Sequence, residues 1–597
     1  MRSTMGVTRR TVMKKAAALA ASTGARSLSA QESAVADEGR HTFLRLLRSS
    51  NETVSRMLER PTARAARGLG RGANVAALTA AYCSPQSVYY RSEKLIPLLE
   101  SGARAFVDAQ HPDGTLDAGN LASPPDTGFV VEALAASLAV LRRMDDPPLA
   151  QTKAALSKFL LAAGEALATG GVHTPNHRWV ICSALARIHS LFPDAKYVNR
   201  IDDWLGEGIY QDADGQFEER SAGIYSRVTD NAFITMARLL NRPELLVPVR
   251  RNLEMTLYYL HPDGEVETVA SRRQDQTMAV SVANYYLQYR YMAIRDNNPS
   301  FGAVTRLIQS LAGENYVEGA NPVIYFIEEP LLQRPLPDSG AIPSDYSRVF
   351  SNSGVARIRR GDISATVYGG SDWPLGVASG LASNPTFFTF RKGRAVLQSI
   401  RMGGQFFSEG AFRSEGLEAE NNRFILHQRF DVPYYQPLPK AFRNPWGDYA
   451  LTPARDFRFW SKLDFPHRPM SNIQTLDQKV TVTENRGVFE LRFDITGHDH
   501  VAYLVELAFR PGGELTGALQ ELSSRDGGKA YLLKEGMGRY RVGEDAIEFG
   551  PGLAEHQFLN LSGPSYIAHG AALKTAGILV YITGYTPFQR VLTIRSG

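Results

Sequence analysis

Two periods divide this chain. From about Thr42 to Leu311 apolar residues recur at helical spacing, and beyond Ser347 they recur at every second position. The run Phe129–Leu141 is apolar almost all round, which predicts an inner helix with no solvent face. Trp179–Ile188 is a second stretch of that kind, whereas Gln151–Leu161 alternates in the manner of an outer helix. In the C-terminal half Phe489, Leu491, Phe493 and Ile495 alternate with Glu490, Arg492 and Asp494, the signature of a half-buried strand. Gly577–Ile582 reads as a fully buried strand, and glycines at Gly354, Gly361, Gly369-Gly370 and Gly512-Gly513 mark turns.

A repeat organises the helical half. Asp113-Gly114-Thr115-Leu116-Asp117, Asp214-Gly215-Gln216-Phe217-Glu218 and Asp263-Gly264-Glu265-Val266-Glu267 share the form Asp-Gly-x-apolar-acid. The first two are 101 residues apart and the last two 49, with Gly170-Gly171 near the skipped position. A unit of about 50 residues holds two helices and two loops. Asp-Gly supplies the tight turn after one helix, and the acid begins the approach to the next. Stacked helical hairpins of this length can form an open superhelix or close into a ring. Chemically rich loops gathered on one face favour the ring.

The Pro-rich stretch from Glu328 to Ser347 separates the halves. The expected class is therefore α+β multidomain, an N-terminal (α/α) toroid followed by an antiparallel β-sandwich. The expected division is 1–30 signal peptide, 40–328 toroid, 329–347 linker and 348–597 sandwich.

Charge changes the picture at the N-terminus. Arg9-Arg10 precede a short Ala-rich run from Ala16 to Ala21, the pattern of a twin-arginine export signal with cleavage expected near Ala30-Gln31. Residues 1–30 hold six Arg/Lys and no acid, so removing them takes the balance from +5 to −1, 60 cations against 61 acids. Nucleic acid is excluded as a partner on that balance, because such affinity needs clustered surplus cations. No run of twenty apolar residues occurs, so no membrane span is expected. The expected location is periplasmic or secreted, with the twin-arginine export machinery as the precursor's partner. Cys83 and Cys182 lie in no CxxC pair and are read as two buried thiols.

The candidate chemistry sits in the helical half. Asn176-His177-Arg178-Trp179 puts an amide, an imidazole and a guanidinium in one helical turn, and Tyr225 follows 49 positions after Asn176, beside Glu218 and Glu219. Removing the C5 proton of a uronate places a second negative charge beside its carboxylate. Donors on that carboxylate spread the charge into an enolate-like intermediate, a task that suits Asn176, His177 and Arg178. Asn176 also stands where a helix cap is expected, after Thr174-Pro175. Tyr225 would move the proton, given nearby positive charge from Arg220, Arg227, Arg272 or Arg273. His173 and His177 have metal-ligand spacing but no HExxH-type carboxylate, so neither a metal nor another cofactor is expected. Asp126, Glu218, Glu219, Asp230 and Glu267 at expected loop-to-helix junctions offer a rival, a carboxylate pair for glycoside hydrolysis. In the bland reading Asp126 is an N-cap and Glu219 an arginine's counter-ion.

With these motifs the chain resembles the heparinase II/III-like and alginate-lyase group of polysaccharide lyases. The resemblance rests on Asn176-His177 at the head of an inner helix, on Asp214-Gly215 leading through Glu219 and Ser221 to Tyr225, and on an all-α half before an all-β half. It implies that Asn176 and His177 neutralise a uronate carboxylate and that Tyr225 acts as base, acid or both. His173, Arg178, Glu219, Arg272, Arg273 and Asp126 would contact an acidic polysaccharide or oligosaccharide. Lyases of this type often carry a His-rich loop early in the β-domain. Here the corresponding stretch, Ser379–Pro385, has no His, leaving His427, Tyr434 or Tyr435 to contribute. The competing expectations are an (α/α)-toroid glucuronidase using Asp126 with Glu219 or Glu267, and a non-catalytic glycan binder using Trp373, Tyr434 and Tyr435.

Overall fold

The computed structural model describes residues 38–59, 72–311, 322–338, 340–372, 380–407, 409–456, 460–522, 529–559, 561 and 577–597, with the backbone of 567–568 and 571–572. The expected export segment, Trp373 and Ser379 lie outside the described residues. The chain forms two compact units. One gathers Met1–Gly208, Asn231–Leu246 and Ala283–Ile342, the other Ile209–Asp230, Val247–Val282 and Pro343–Gly597.

Inner and outer helices alternate in the first unit. The inner helix Pro124–Leu141 starts with a reciprocal cap: Ser123 Oγ accepts from the Asp126 amide at 3.2 Å and donates to the Asp126 carboxylate at 2.7 Å. Pro124 occupies the first helical position, where its missing N–H costs nothing. The helix is long and apolar enough to cross a membrane, but 78% of it is buried within the protein. Pro175–Leu191, the next inner helix, is buried from Trp179 through Ile188. Outer helices bury only a stripe, Leu99, Ala103 and Phe106 in Ile96–Ala109, and Tyr197 and Ile201 in Ala195–Gly206. The last helix, Val323–Glu328, packs on Pro124–Leu141 and on Ala73–Cys83 near the start of the series. Cys83 and Cys182 are both free and buried, and burial pushes the Cys83 thiol up to about 12.

The sequence repeat is a structural repeat. Asp-Gly turns follow the outer helices Ile96–Ala109, Ala195–Gly206 and Leu246–Tyr259. Gly114, Gly215 and Gly264 have φ of 91°, 98° and 80°, a region that disfavours any residue with a Cβ. A Cβ on Gly114 would lie 2.1 Å from the Ala162 carbonyl, and one on Gly215 would lie 2.6 Å from that of Arg251. Each of these two turns is thus pressed against the following outer helix. Gln110 and Gln211 repeat the same clasp, donating to the carbonyls of Phe159 and Pro248 at 3.1 and 2.8 Å.

Among the described residues the second unit is built on sheets of nine and eight strands. Its strands run antiparallel apart from Lys529–Leu533, which lies parallel to Ile578–Tyr585. The sheets share one core. Phe388 and Phe390 of the nine-stranded sheet meet Phe489 of the eight-stranded sheet with centroids 5.4 and 5.7 Å apart. Phe489, Leu491, Phe493 and Ile495 all face that core, as their alternation predicts.

Residues 209–230 and 247–282, expected with the helices, group instead with the strands. Charge explains the second segment. Arg357, fully buried on strand Val355–Arg360, donates to the Tyr258 carbonyl at 3.1 Å and pairs with Glu267 at 3.3 Å. Glu265 pairs with Arg391 at 2.7 Å and with Arg510 at 2.8 Å. Strand arginines are neutralised by acids of the third Asp-Gly loop.

Burial alone would raise the Glu265 carboxyl, but Arg510 and Arg391 outweigh it and bring it down to about 2. A carboxylate held below its unfolded value, about 4.3, stabilises the fold above that value and loses the contribution as pH falls through the folded one. Glu265→Gln is therefore expected to lower the melting temperature at pH 7 and to converge on wild type as pH approaches 2. Thermal melts across that range check this, and an equal deficit at all pH values would contradict it.

Candidate functional site

Asp126, His173, Asn176, His177 and Arg178 belong to the helical unit, and Glu219, Tyr225, Arg272 and Arg273 to the other. Within the first unit the head of helix Pro175–Leu191 carries the group. Its N-cap is Thr174, so Asn176 is the second residue inside the helix rather than the cap. Asn176 is buried, and its Nδ2 donates to Thr174 Oγ1 at 3.3 Å. The buried His177 ring meets His173 edge-on at 4.7 Å and Phe129 at 6.2 Å. His173 itself is exposed.

Asp126 is the third residue of its helix, not the cap. Burial would raise its carboxyl, but bonds from the Asn120 side chain, Ser123 and the Asn120 amide outweigh it, with help from His177, and hold it below the usual range. Arg178 points to an outer-helix neighbour. It pairs with Glu207 at 3.0 Å and lies 4.8 Å over the Trp179 ring.

In the second unit two Asp-Gly loops are laced together by one carboxylate. Asp275 is buried and accepts from Ser221 Oγ at 3.0 Å, from the Gly223 amide at 3.0 Å and from Ser271 Oγ at 2.5 Å. Ser221 Oγ in turn accepts from the amide of Tyr225, the first residue of helix Tyr225–Leu239. The Arg272 amide donates to the Glu219 carbonyl at 2.9 Å.

This lacing presents Tyr225 to positive and polar groups. Gln274 Nε2 donates to the phenol oxygen at 2.8 Å, and the Arg273 guanidinium lies 4.6 Å from the ring centroid. Arg273 also pairs with Glu219 at 3.3 Å. Of the other cations proposed to serve Tyr225, Arg272 pairs with Asp372 at 2.9 Å and Arg220 donates to the Asn352 carbonyl at 2.6 Å.

The stretch suggested by the missing His-rich loop contributes support instead. The Ala382 amide donates to Asp372 at 2.8 Å, and Asn384 Nδ2 donates to the Gln276 carbonyl at 2.6 Å. It thereby fixes the segment that carries Arg272, Arg273 and Gln274. His427 is exposed and paired with Asp477 at 3.0 Å, while the Tyr435 hydroxyl accepts from the Arg455 amide.

The suspected acids have other work. Glu267 directly follows the short strand Glu265–Val266 rather than standing at a helix junction. Burial would raise it, but His261, Arg357 and Thr366 hold it well below the usual carboxylate range. Asp230 lies inside helix Tyr225–Leu239, not at its start, and complete burial pushes its carboxyl well up. Sequence reading missed Gln274, Asp275 and Asp372 as parts of the arrangement. The first two stood beside Arg273, and only the fold reveals their bonds.

Asp275→Ala is expected to lower unfolding free energy by at least about 2 kcal/mol, since three buried donors lose their acceptor. Urea denaturation reads this directly. A variant within experimental error of wild type would show that the carboxylate does not lace the loops.

No family model matches the chain, and no curated protein matches it in sequence. Solved structures do. The Streptomyces coelicolor A3 chondroitin AC lyase, solved with chondroitin sulphate, superposes with a TM-score of 0.54 at 12% identity, over 93% of this chain and 79% of that one. Paenibacillus xanthan lyase gives 0.52 at 10%, over 89% of this chain and 53% of that one. Heparinase III gives 0.50 at 12%, over 88% and 76%. At such identities the likeness is one of fold. The chain thus shares with these polysaccharide lyases the architecture of an (α/α) toroid followed by antiparallel β-sheets.

Proposed function

We propose that the protein is an exported polysaccharide lyase that cleaves a uronic-acid-containing polysaccharide by β-elimination. The observation that carries this reading is the environment of Tyr225, a phenol oxygen held by the Gln274 amide with a guanidinium over its ring. A donor on the oxygen and a cation beside the ring are the surroundings that a phenol exchanging a proton with its substrate calls for. The likeness in fold to chondroitin AC, xanthan and heparin-type lyases supports the same class.

In this mechanism Asn176 and His177 donate to the substrate carboxylate. Tyr225, acting as the phenolate, takes the C5 proton and becomes the neutral phenol, and the electron pair of the C–H bond spreads into the carboxylate as an enolate. The pair then forms the C4–C5 double bond while the C4–O bond breaks. The leaving oxygen recovers a proton, which Tyr225 is placed in the scheme to return. Charge on the carboxylate is what limits the first step, so donors there lower the barrier directly.

Hydrolysis by the pair Asp126 with Glu219 or Glu267 is disfavoured by the state of those acids. A glycosidase needs one carboxyl protonated near neutral pH. Asp126 and Glu267 are both held ionised by donors, and Glu219 is paired with Arg273.

Elimination creates a double bond that absorbs in the near ultraviolet, and hydrolysis does not. With alginate, heparin, hyaluronan, glucuronan and rhamnose–glucuronate polymers as a panel, one is expected to give that absorbance. Tyr225→Phe keeps the ring and is expected to lose at least about 10²-fold in kcat with little change in KM. Asn176→Ala and His177→Ala should worsen both constants, because they touch the substrate before and during reaction. A folded Tyr225→Phe protein with near wild-type kcat would remove the proposed base.

A further inference from the structure

Strands Arg423–Tyr435 and Met470–Asn485 are paired neighbours in the eight-stranded sheet, with Met470 opposite Tyr435. Between them the chain leaves the sheet in a long excursion, whose described residues, 436–456 and 460–469, are tied together by internal bonds. The Tyr435 ring packs on Phe465 at 4.6 Å, and Thr452-Pro453 pair with Trp460-Ser461. Asn444 accepts from the Trp446 amide at 3.0 Å and donates to the Asp448 carbonyl at 2.8 Å.

An ordered segment normally turns its aromatic side chains inward. Here Phe465 does so, but Trp446 and Trp460, and Tyr434 at the end of the preceding strand, face solvent. Trp446 is 89% exposed, Trp460 58% and Tyr434 55%. Eight of the twenty exposed large apolar side chains among the described residues fall between Tyr434 and Ile473, which makes this a concentration rather than scatter.

Cations outnumber acids in the excursion, five to three among its described residues. Its described residues include Lys440, Arg443, Arg455, Lys462 and Arg468 against Asp448, Asp456 and Asp464. Asp448 is paired with Lys462 and Asp464 with His467. Arg443 and Arg468 are held instead by neutral carbonyls, those of Leu438 at 2.9 Å and Leu463 at 2.5 Å. Their guanidinium groups are oriented without being neutralised, and Lys440 and Arg443 are exposed.

We propose that the exposed aromatic and basic residues Lys440, Arg443, Trp446 and Trp460, together with the half-buried Arg468, form a docking surface for an acidic polysaccharide chain. Exposed indole faces pack on the C–H faces of sugar rings, and oriented guanidinium groups form paired hydrogen bonds with carboxylate or sulfate oxygens. No residue of this surface belongs to the set around Tyr225. The choice of an acidic polymer rests on the lyase reading, while the surface itself rests on exposure and charge.

The test uses the full chain carrying Tyr225→Phe, so that bound polymer survives, with gel retardation by hyaluronan, chondroitin sulfate, heparin, alginate, xanthan and neutral dextran. At least one acidic polymer is expected to retard the protein and dextran to leave it unretarded. Trp446→Ala with Trp460→Ala, and separately Lys440→Gln with Arg443→Gln, should weaken that binding by about tenfold or more with the melting temperature unchanged. In the Tyr225 protein the same pairs should leave turnover of a short oligosaccharide unaltered. Retardation indifferent to both pairs overturns the proposal. So does loss of binding to phosphatidylglycerol vesicles, or of a dimer, in place of loss of polymer binding. Polymer binding that depends on these residues in a protein giving no ultraviolet product keeps the surface and rejects elimination.

Discussion

One buried guanidinium fixes the helical unit. Arg187 lies within the ring of helices, paired with Glu132 at 2.7 Å and Glu328 at 2.9 Å, and Arg238 reaches Glu328 at 3.1 Å. These four residues stand on four helices, Pro124–Leu141, Pro175–Leu191, Tyr225–Leu239 and Val323–Glu328. Taking such charges out of water costs several kcal/mol per ion, so the network is weak evidence for net stability. Removing one partner nonetheless costs about 3–5 kcal/mol, because it leaves a buried charge unpaired. Its value is in register. Glu132 and Arg187 lock the two inner helices side by side, and toward the start of the same helices His177 meets Phe129 and approaches Asp126.

The second unit repeats this use of charge with Arg357. Buried strand arginines draw in the carboxylates of the third Asp-Gly loop, and Asp275 then laces that loop to the turn before Tyr225. A phenol in helix Tyr225–Leu239 thereby acquires an amide and a guanidinium from a loop some fifty residues away. Glu219 and Glu267, which resemble hydrolytic catalysts in sequence, serve as counter-ions in this framework. The same residues that argue for catalysis by composition argue against it by their partners.

Much of the architecture was legible because periodicity reports burial. The all-round apolar run Phe129–Leu141 and the alternation Phe489–Ile495 became an inner helix and a core-facing strand, since those patterns leave no other way to bury the side chains. The Asp-Gly repeat was legible because positive φ at Gly114, Gly215 and Gly264 restricts the residue type. Less could be read where partners come from far along the chain. That Glu267 answers Arg357, that Asp372 answers Arg272, and that Arg178 answers Glu207 are facts of packing with no local signature. Cap positions also moved: Thr174 rather than Asn176, and Ser123 rather than Asp126, begin their helices, because Pro at the first helical position sets the boundary one residue before it.

The central claim is that the glycosidic bond is broken without water. Running the reaction in H₂¹⁸O and weighing the products by mass spectrometry addresses that claim without relying on any variant. Elimination predicts a product pair in which one fragment is lighter than its hydrolytic counterpart by one water and neither carries ¹⁸O at the cleaved bond. Products heavier by that water, with ¹⁸O at the new reducing end, would contradict the account and assign the same fold to a hydrolase.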